Sequence, residues 1–424
     1  FLKIFLKEGG LNLLDLLTDC IWNAKSFFSK IVFYYRKADA FFNFADMKKI
    51  EMVDLKGQYK EIEQEIQKSL NEVLHSTKFI KGPDVSDLER DLEEYLGVNH
   101  AITCGSGTDA LQIALMSLEL NPGDEIITTD FTFAATIEVI LLLRLKPVLV
   151  DIDSKTFNID PTKIKESITK KTKAIIPVHL FGQTSDMDQI TQIAKKNNLF
   201  IIEDNAQSMG ANYTFLNNKE KKAGTIGDIG TTSFFPSKNL GAYGDGGAIF
   251  TDNNKIADRI RAISNHGMYK RYYHDLLGVN SRLDSVQAAI LKVKLKYLDS
   301  YNQKRQNAAN QYNNALRNYK NIITPFHNRL RSSHVYHQYT IRVLNTNRDK
   351  LAEHLSNDNI PHGIYYPVPL HRQKAYKNDN YIEDNFKVTN KMVDEVISLP
   401  MHSELEENQI DYISGSIKSF FKNK

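Results

Sequence analysis

The chain has 424 residues, long enough for a large domain plus a smaller one and far too long for a disulfide-stapled miniature. Hydrophobic residues make up 42% and charged residues 25%, ordinary globular usage that excludes disordered and fibrous chains. Lys and Arg number 54 against 51 Asp and Glu, a formal charge of +3 that is too balanced for a nucleic-acid binder working by counterion release, so a small-molecule partner is expected. Two cysteines, Cys20 and Cys104, exclude a four-cysteine iron–sulfur cluster and a disulfide framework, and suit a reducing cytoplasm.

Residues 1–46 carry eleven aromatic residues and no methionine, and the composition shifts abruptly at Met47. From Met47-Lys48-Lys49-Ile50 the chain reads like an ordinary start, so this atypical N-terminal extension is expected to be upstream or fused sequence outside the fold. Its interleaved cations and apolar residues also fit an amphipathic membrane-surface anchor. Against that, six basic residues stand beside five acidic ones and no run approaches the ~20 apolar residues of a membrane span, so no membrane association is expected.

Beyond Met47, short β-rich runs alternate with helical periodicity, the pattern of a mostly parallel sheet joined by crossover helices. Strands are expected at His100–Thr103, Glu125–Thr128, Pro147–Val150, Ala174–Val178, Phe200–Glu203, Thr231–Phe235 and Ala248–Thr251. Helices are expected between them at Asp109–Leu118, Ala135–Leu143, Lys163–Ile168, Met187–Lys196 and Asn254–Ile263, with Pro161 as a first-turn proline. A single long helix from Asp284 to about Arg317 should leave this body. After it come a strand at Val335–Val343, a helix at Arg348–Leu355, an extended stretch at Ile364–Pro367 and helices at Lys391–Ser398 and Glu406–Phe421, a small α+β unit.

Four segments carry candidate chemistry. Phe200-Ile201-Ile202-Glu203-Asp204-Asn205-Ala206-Gln207 is an apolar strand ending in acid and amide side chains, which places Asp204 and Gln207 where open α/β sheets hold ligands. In Ser233-Phe234-Phe235-Pro236-Ser237-Lys238 a lysine follows a strand among apolar residues and glycine turns, and desolvation there would lower its pKa and make it a Schiff-base nucleophile. Cys104-Gly105-Ser106-Gly107-Thr108-Asp109 breaks a strand with glycines and opens a helix, a phosphate cradle that matches neither the dinucleotide nor the Walker spacing. Phe131-Thr132-Phe133 offers an aromatic at a strand end to stack on a flat ring. A phosphate cradle, a ring stacker, an acid for a pyridine nitrogen and a reactive lysine together specify pyridoxal 5′-phosphate.

With these motifs the chain resembles the DegT/StrS-type sugar aminotransferases of the aspartate aminotransferase fold (fold type I), from about Val53 to about Phe421. The motifs that carry the resemblance also include Gly278-Val279-Asn280-Ser281-Arg282 with Gln287-Ala288-Ala289, and Tyr366-Pro367-Val368-Pro369-Leu370-His371. It implies an α/β fold with a seven-stranded, mostly parallel sheet covered by helices on both faces in a pyridoxal-phosphate-binding large domain, 47–300, and a smaller C-terminal α+β domain, 301–424. It also implies that Lys238 holds the cofactor and shuttles a proton, that Asp204 keeps the pyridine nitrogen protonated, and that Gln207 bonds the cofactor's phenolic oxygen or covers its ring. Phe133 matches the stacking aromatic, and Gly107, Thr108, Asp109 and Ser233 match the phosphate site. Asn280 resembles an asparagine that reaches the neighbouring subunit's phosphate, which would give a homodimer with shared active sites.

The resemblance further implies ping-pong transfer of an amino group, usually from glutamate, to a nucleotide-linked keto-sugar in the cytoplasm. A 3-keto sugar would give a 3-amino sugar for surface polysaccharide, lipopolysaccharide or glycan assembly. Arg271, Tyr273 and His274 lie in a block similar to the family's loop near the sugar nucleotide, and the same block reads equally well as a solvated basic loop. Tyr365 and Tyr366 stand where relatives acting at C3 often have His-Tyr, a departure that counts against assigning a hexuronate. A lone His179 is expected to be structural, and no cluster has metal-ligand spacing, so no metal is expected. Two rivals are a sugar dehydratase, in which histidine replaces the reactive lysine, and a silent binding or regulatory homologue; Lys238 with Asp204 and Gln207 argues against both.

Overall fold

In the computed structural model of the protein, residues 47–378 and 381–422 are described, and the extension 1–46 lies outside them. All seven expected strands form. They are β1 (His100–Cys104), β2 (Glu125–Thr129), β3 (Lys146–Val150), β4 (Thr172–Ile176), β5 (Phe200–Asp204) and, after a small hairpin of β6 (Asn212–Thr214) with β7 (Glu220–Lys222), β8 (Ile229–Ser233) and β9 (Gly247–Thr251). They make one sheet in the order β1-β9-β8-β5-β4-β2-β3. Only β9 runs against its neighbours, so six strands are mutually parallel and end on the same edge.

The strands read as apolar runs because both faces are covered. Ile126, Ile176 and Ile202 enter one core, shared with the helices Gly107–Met116, Ala135–Leu142 and Asn254–Ile263. Their chain neighbours Ile127, Ile175 and Ile201 enter another, under the helix Met187–Asn197. The two-residue alternation of a strand thus splits each run between two cores.

The expected long helix is two helices, Ser285–Leu295 and Leu298–Leu316, with the break at Lys296 and Tyr297. No Pro or Gly marks the break. The first half packs Ala288, Leu291 and Leu295 against the large sheet, whereas Ala308, Ala309, Tyr312 and Leu316 of the second serve a different core, so packing redirects the chain. That second core surrounds a three-stranded sheet of β12 (Ile322–Ile323), β13 (Tyr339–Val343) and β14 (Val396–Leu399), a short hairpin of β10 (Met268–Lys270) and β11 (Tyr273–His274) having preceded it in the chain. The segment Lys391–Ser398, expected to be helical, divides between a helix, Lys387–Glu395, and β14, whose fully buried Val-Ile-Ser-Leu run pairs with β13. The strand expected from Val335 begins only at Tyr339.

Two helices ahead of β1, Leu55–Ser76 and Pro83–Leu96, were not anticipated, although Val85, Leu88, Leu92 and Leu96 repeat at helical spacing behind a first-turn proline. The segment just after residue 46 belongs with the C-terminal body and not with the large sheet it precedes: Ile50 packs in the second core, and Gln409 Nε2 donates to the Lys48 carbonyl at 3.2 Å. Among the described residues no helix is long and apolar enough to cross a membrane. Ile202, fully buried at the centre of β5, tests how much the sheet depends on its core; Ile202→Ala is expected to cost about 2–5 kcal/mol in denaturant unfolding with an unchanged slope.

Candidate active site

The parallel strands end in loops on one edge of the sheet, the place where open α/β sheets leave a crevice. There the chain encloses a cavity of about 660 Å³ whose lining includes Gly107, Thr108, Phe133, Asp204, Gln207, Ser233, Lys238, Tyr365 and Tyr366. This volume is in the range of small-molecule sites. A separate cleft of about 530 Å³ is lined in part by Asp153, Asp160 and Asp186, but those carboxylates already accept backbone N–H groups of their own turns and helix starts.

Asp204 closes β5 and is buried. Its Oδ1 accepts the Ala206 N–H at 3.2 Å, and its Oδ2 accepts the Thr136 hydroxyl at 3.0 Å. Burial pushes its carboxyl above the usual range, and these two hydrogen bonds and the charge of Lys238 only partly offset that. Lys238 sits on a turn closed by its own N–H to the Phe235 carbonyl at 2.8 Å. Among the described residues no group accepts from its Nζ. Desolvation lowers the amine to about 8, with Asp204 pulling the other way. An acid short of a cation and an amine short of an acceptor therefore face one cavity, which fits a ligand that brings a protonated ring nitrogen and an electrophilic carbon.

The end of the cavity at the helix Gly107–Met116 is set by close backbone approach. A Cβ on Gly107 would lie 2.5 Å from Ser233 Cβ, so only glycine lets the start of the helix Gly107–Met116 lie against the end of β8. Ser106 Oγ accepts the Asp109 N–H at 3.1 Å, leaving the first-turn amides of Gly107 and Thr108 at the cavity wall. Phe133 is 58% exposed, an unusual state for a phenylalanine unless something covers it. Gln207 is held at both ends: its Oε1 accepts the Phe181 N–H at 2.7 Å and its Nε2 donates to the Tyr366 hydroxyl at 3.2 Å.

Five expected site residues lie outside this cavity. Asp109 turns away, its Oδ2 accepting the Ser281 hydroxyl at 2.7 Å; a carboxylate beside a phosphate would also repel it. Asn280 is exposed, and Arg271, Tyr273 and His274 are on or beside the exposed β10–β11 hairpin, where Arg271 Nη2 donates to the Tyr272 hydroxyl at 3.0 Å. Conversely, the cavity includes His337 and Gln338, which were not anticipated. They sit in the stretch wrongly expected to be strand, and the signal was a polar pair interrupting an apolar run. Thr136, three residues past Phe133 in the helix Ala135–Leu142, also supports the site by its bond to Asp204, a role the sequence alone does not signal.

His179 is structural, as expected. The Ser185 N–H donates to its Nδ1 at 3.1 Å, so Nε2 carries the proton and donates to Glu203 at 2.8 Å. Burial alone would raise the Glu203 carboxyl, but His179 and the N–H groups of Gly224, Ile226 and Gly227 hold it below the usual range.

The model of the DegT/DnrJ/EryC1/StrS aminotransferase family matches residues 60–418. The chain belongs to that family. It is 45% identical over 376 residues to a pleiotropic regulatory protein of Geobacillus stearothermophilus, covering 88% of this chain and 99% of the relative. It is 43% identical over 368 residues to UDP-2-acetamido-2-deoxy-3-oxo-D-glucuronate aminotransferase of Pseudomonas aeruginosa, covering 87% and 99%. The fold matches the crystal structure of NtdA from Bacillus subtilis with bound cofactor PMP, the pyridoxamine form, at a TM-score of 0.81 and 34% identity over 89% of this chain and 86% of that one. The protein is a pyridoxal-phosphate-dependent aminotransferase of fold type I.

The buried floor under the site gives a pH test. Glu203 is held low in the folded protein, so it contributes stability above the ordinary glutamate pKa and loses it as pH falls through the lowered value. Glu203→Gln is expected to cost about 3 kcal/mol near neutrality, and the gap from the unchanged protein should narrow below about pH 4 in unfolding titrations.

Proposed function

We propose that the protein moves an amino group from glutamate to the keto group of a nucleotide-linked 3-keto sugar, in the cytoplasm, for surface polysaccharide, lipopolysaccharide or glycan assembly. The observation that carries this reading is that Lys238 and Asp204 line one cavity, each driven by desolvation toward its neutral form, so that the amine is lowered and the acid raised. The 3-oxo substrate in the name of the Pseudomonas relative supports the sugar side. Although the Geobacillus relative is described as regulatory, a silent pocket has no use for an amine and an acid matched in this way.

Pyridoxal phosphate, when bound, supplies an aldehyde carbon that accepts amines and a cationic ring that withdraws electrons from the reacting carbon. Lys238 Nζ, lowered to about 8, is partly unprotonated near neutrality; it would hold the cofactor and would serve as the base that carries the proton during transfer. Asp204, steadied by the Thr136 hydroxyl, would keep a proton on the ring nitrogen. Gly107, Thr108 and Ser233 would hold the phosphate, Phe133 would stack on the ring, and Gln207 would bond its phenolic oxygen. Tyr365 and Tyr366 wall the sugar side.

The active unit of this reading is a homodimer. Asn280, Arg271, Tyr273 and His274 stand off their own cavity on a segment where Tyr272 is 75% and Leu277 87% exposed, and in a dimer they would serve the neighbouring site. The boundary between the two bodies is placed near residue 300.

Protein loaded with pyridoxal phosphate should show the visible band of the lysine-bound cofactor, lose it on addition of glutamate, and lack it in Lys238→Ala. A band that survives Lys238→Ala would end the assignment. Asp204→Asn should keep the fold and the band but lose at least about a hundredfold in turnover. Mixing Lys238→Ala with Asn280→Ala chains should restore a fraction of the activity that neither has alone, because only a mixed dimer holds one intact site.

A further inference from the structure

The motif Tyr366-Pro367-Val368-Pro369-Leu370-His371 ends in a histidine that the cofactor chemistry does not use. His371 is 5% exposed. Its Nδ1 lies 2.6 Å from Asp130 Oδ2, its own N–H donates to Asp130 Oδ1 at 2.8 Å, and the preceding Leu370 N–H donates to the Asp130 carbonyl at 3.1 Å. On the other side its Nε2 is 3.3 Å from Glu383 Oε2, and the Phe386 ring stacks on the imidazole at 4.3 Å. Asp130 follows directly on β2 and is fully buried, three residues before Phe133.

These contacts anchor one end of a strap. Its other end is Gly363, which exchanges two backbone hydrogen bonds with Ser398 of β14, at 2.7 and 3.0 Å. Between the anchors, the strap crosses from the second sheet to the edge of the large sheet carrying Tyr365 and Tyr366 along the cavity wall. The Tyr366 ring packs 6.0 Å from Phe131 and 6.5 Å from Phe133, the residues that follow Asp130. One turn after β2 therefore supplies both the ring stacker and the carboxylate that fastens the facing tyrosines.

We propose that His371 is a positioning residue that pins this strap to Asp130 and thereby sets the affinity of the cavity for the sugar substrate and not for the cofactor. The proposal rests on the reading of Tyr365 and Tyr366 as the sugar-side wall. A proton on both ring nitrogens lets the imidazole bridge two carboxylates at once. Burial works against that charge, but Asp130 and Glu383 outweigh it and raise His371 above the usual histidine value. The other charged and titratable groups around the clamp are Arg372, paired with Glu383 at 2.7 Å, and Asp151 and Tyr381 beyond Asp130. The bridging charge is complete below the ordinary histidine pKa and is lost as pH rises through the raised one.

The test uses the pyridoxal-phosphate-loaded enzyme with His371→Phe, which retains the stack on Phe386, and His371→Asn, which can still donate to Asp130. The protection factors of the Gly363 and Leu370 amides, which are hydrogen-bonded at the two ends of the strap, should fall in His371→Phe, and in the unchanged protein as pH rises. His371→Asn should recover this protection in part but lose its pH dependence. KM for the keto-sugar should rise about tenfold in His371→Phe, with the visible band and the glutamate half-reaction unchanged. Strap exchange that does not respond to His371→Phe overturns the proposal whatever the substrate. So does a loosened strap with unchanged sugar KM, or a loss of cofactor binding equal to the loss of sugar affinity. An unchanged enzyme that aminates none of a panel of nucleotide-linked keto-sugars would instead overturn the functional reading, leaving the exchange data to decide the clamp.

Discussion

A carboxyl at the end of β5 and an amine on the turn after β8 share one cavity, and each is pushed by desolvation toward its neutral form. In water neither shift would occur, and if the two groups touched, each would neutralise the other's perturbation. Holding them across a cavity keeps both incomplete. The rest of the architecture follows from that requirement: parallel strands to bring their ends to one edge, a glycine-opened helix to bare its first amides, and a second body to wall the open side.

The supporting layer uses the same alternation that divides the cores. Glu203 and Asp204 are neighbours on β5, so their side chains leave opposite faces of the strand. Glu203 goes down into His179 and three backbone amides, a satisfied buried ion with no access to the cavity. Asp204 goes up with only two donors and remains short of a cation. Two adjacent carboxylates thus divide structural and chemical duties because of a single step along the chain.

Much of this was legible in the sequence. The seven sheet strands were, since strands buried on both faces leave continuous apolar runs, and so were Lys238, Asp204 and Phe133, since each follows a strand end. The break at Lys296 was hidden because both halves keep helical periodicity and only their different cores separate them. Val396–Leu399 was absorbed into the preceding helix because a short apolar run carries no period of its own, and pairing with β13 decided it. His337 and Gln338 escaped because they reach the cavity from a loop remote in sequence, a placement that tertiary packing alone determines. Asp109 sits in the first turn of the glycine-opened helix, but its side chain is turned to the Ser281 hydroxyl, a pairing across 172 residues that local sequence does not reveal.

Asn239, the residue after Lys238, is buried and donates from one amide nitrogen to Asn302 Oδ1 at 2.7 Å and to the Val335 carbonyl at 3.0 Å. Those acceptors belong to the long second helix and to the loop before β13. Separating them would strand amide dipoles out of reach of solvent, a penalty of about 1–3 kcal/mol for each group left unpaired. The turn that carries Lys238 is consequently stitched to the C-terminal half of the chain, and the two should melt together, so that loosening the far half would displace this amine before the sheet itself gave way.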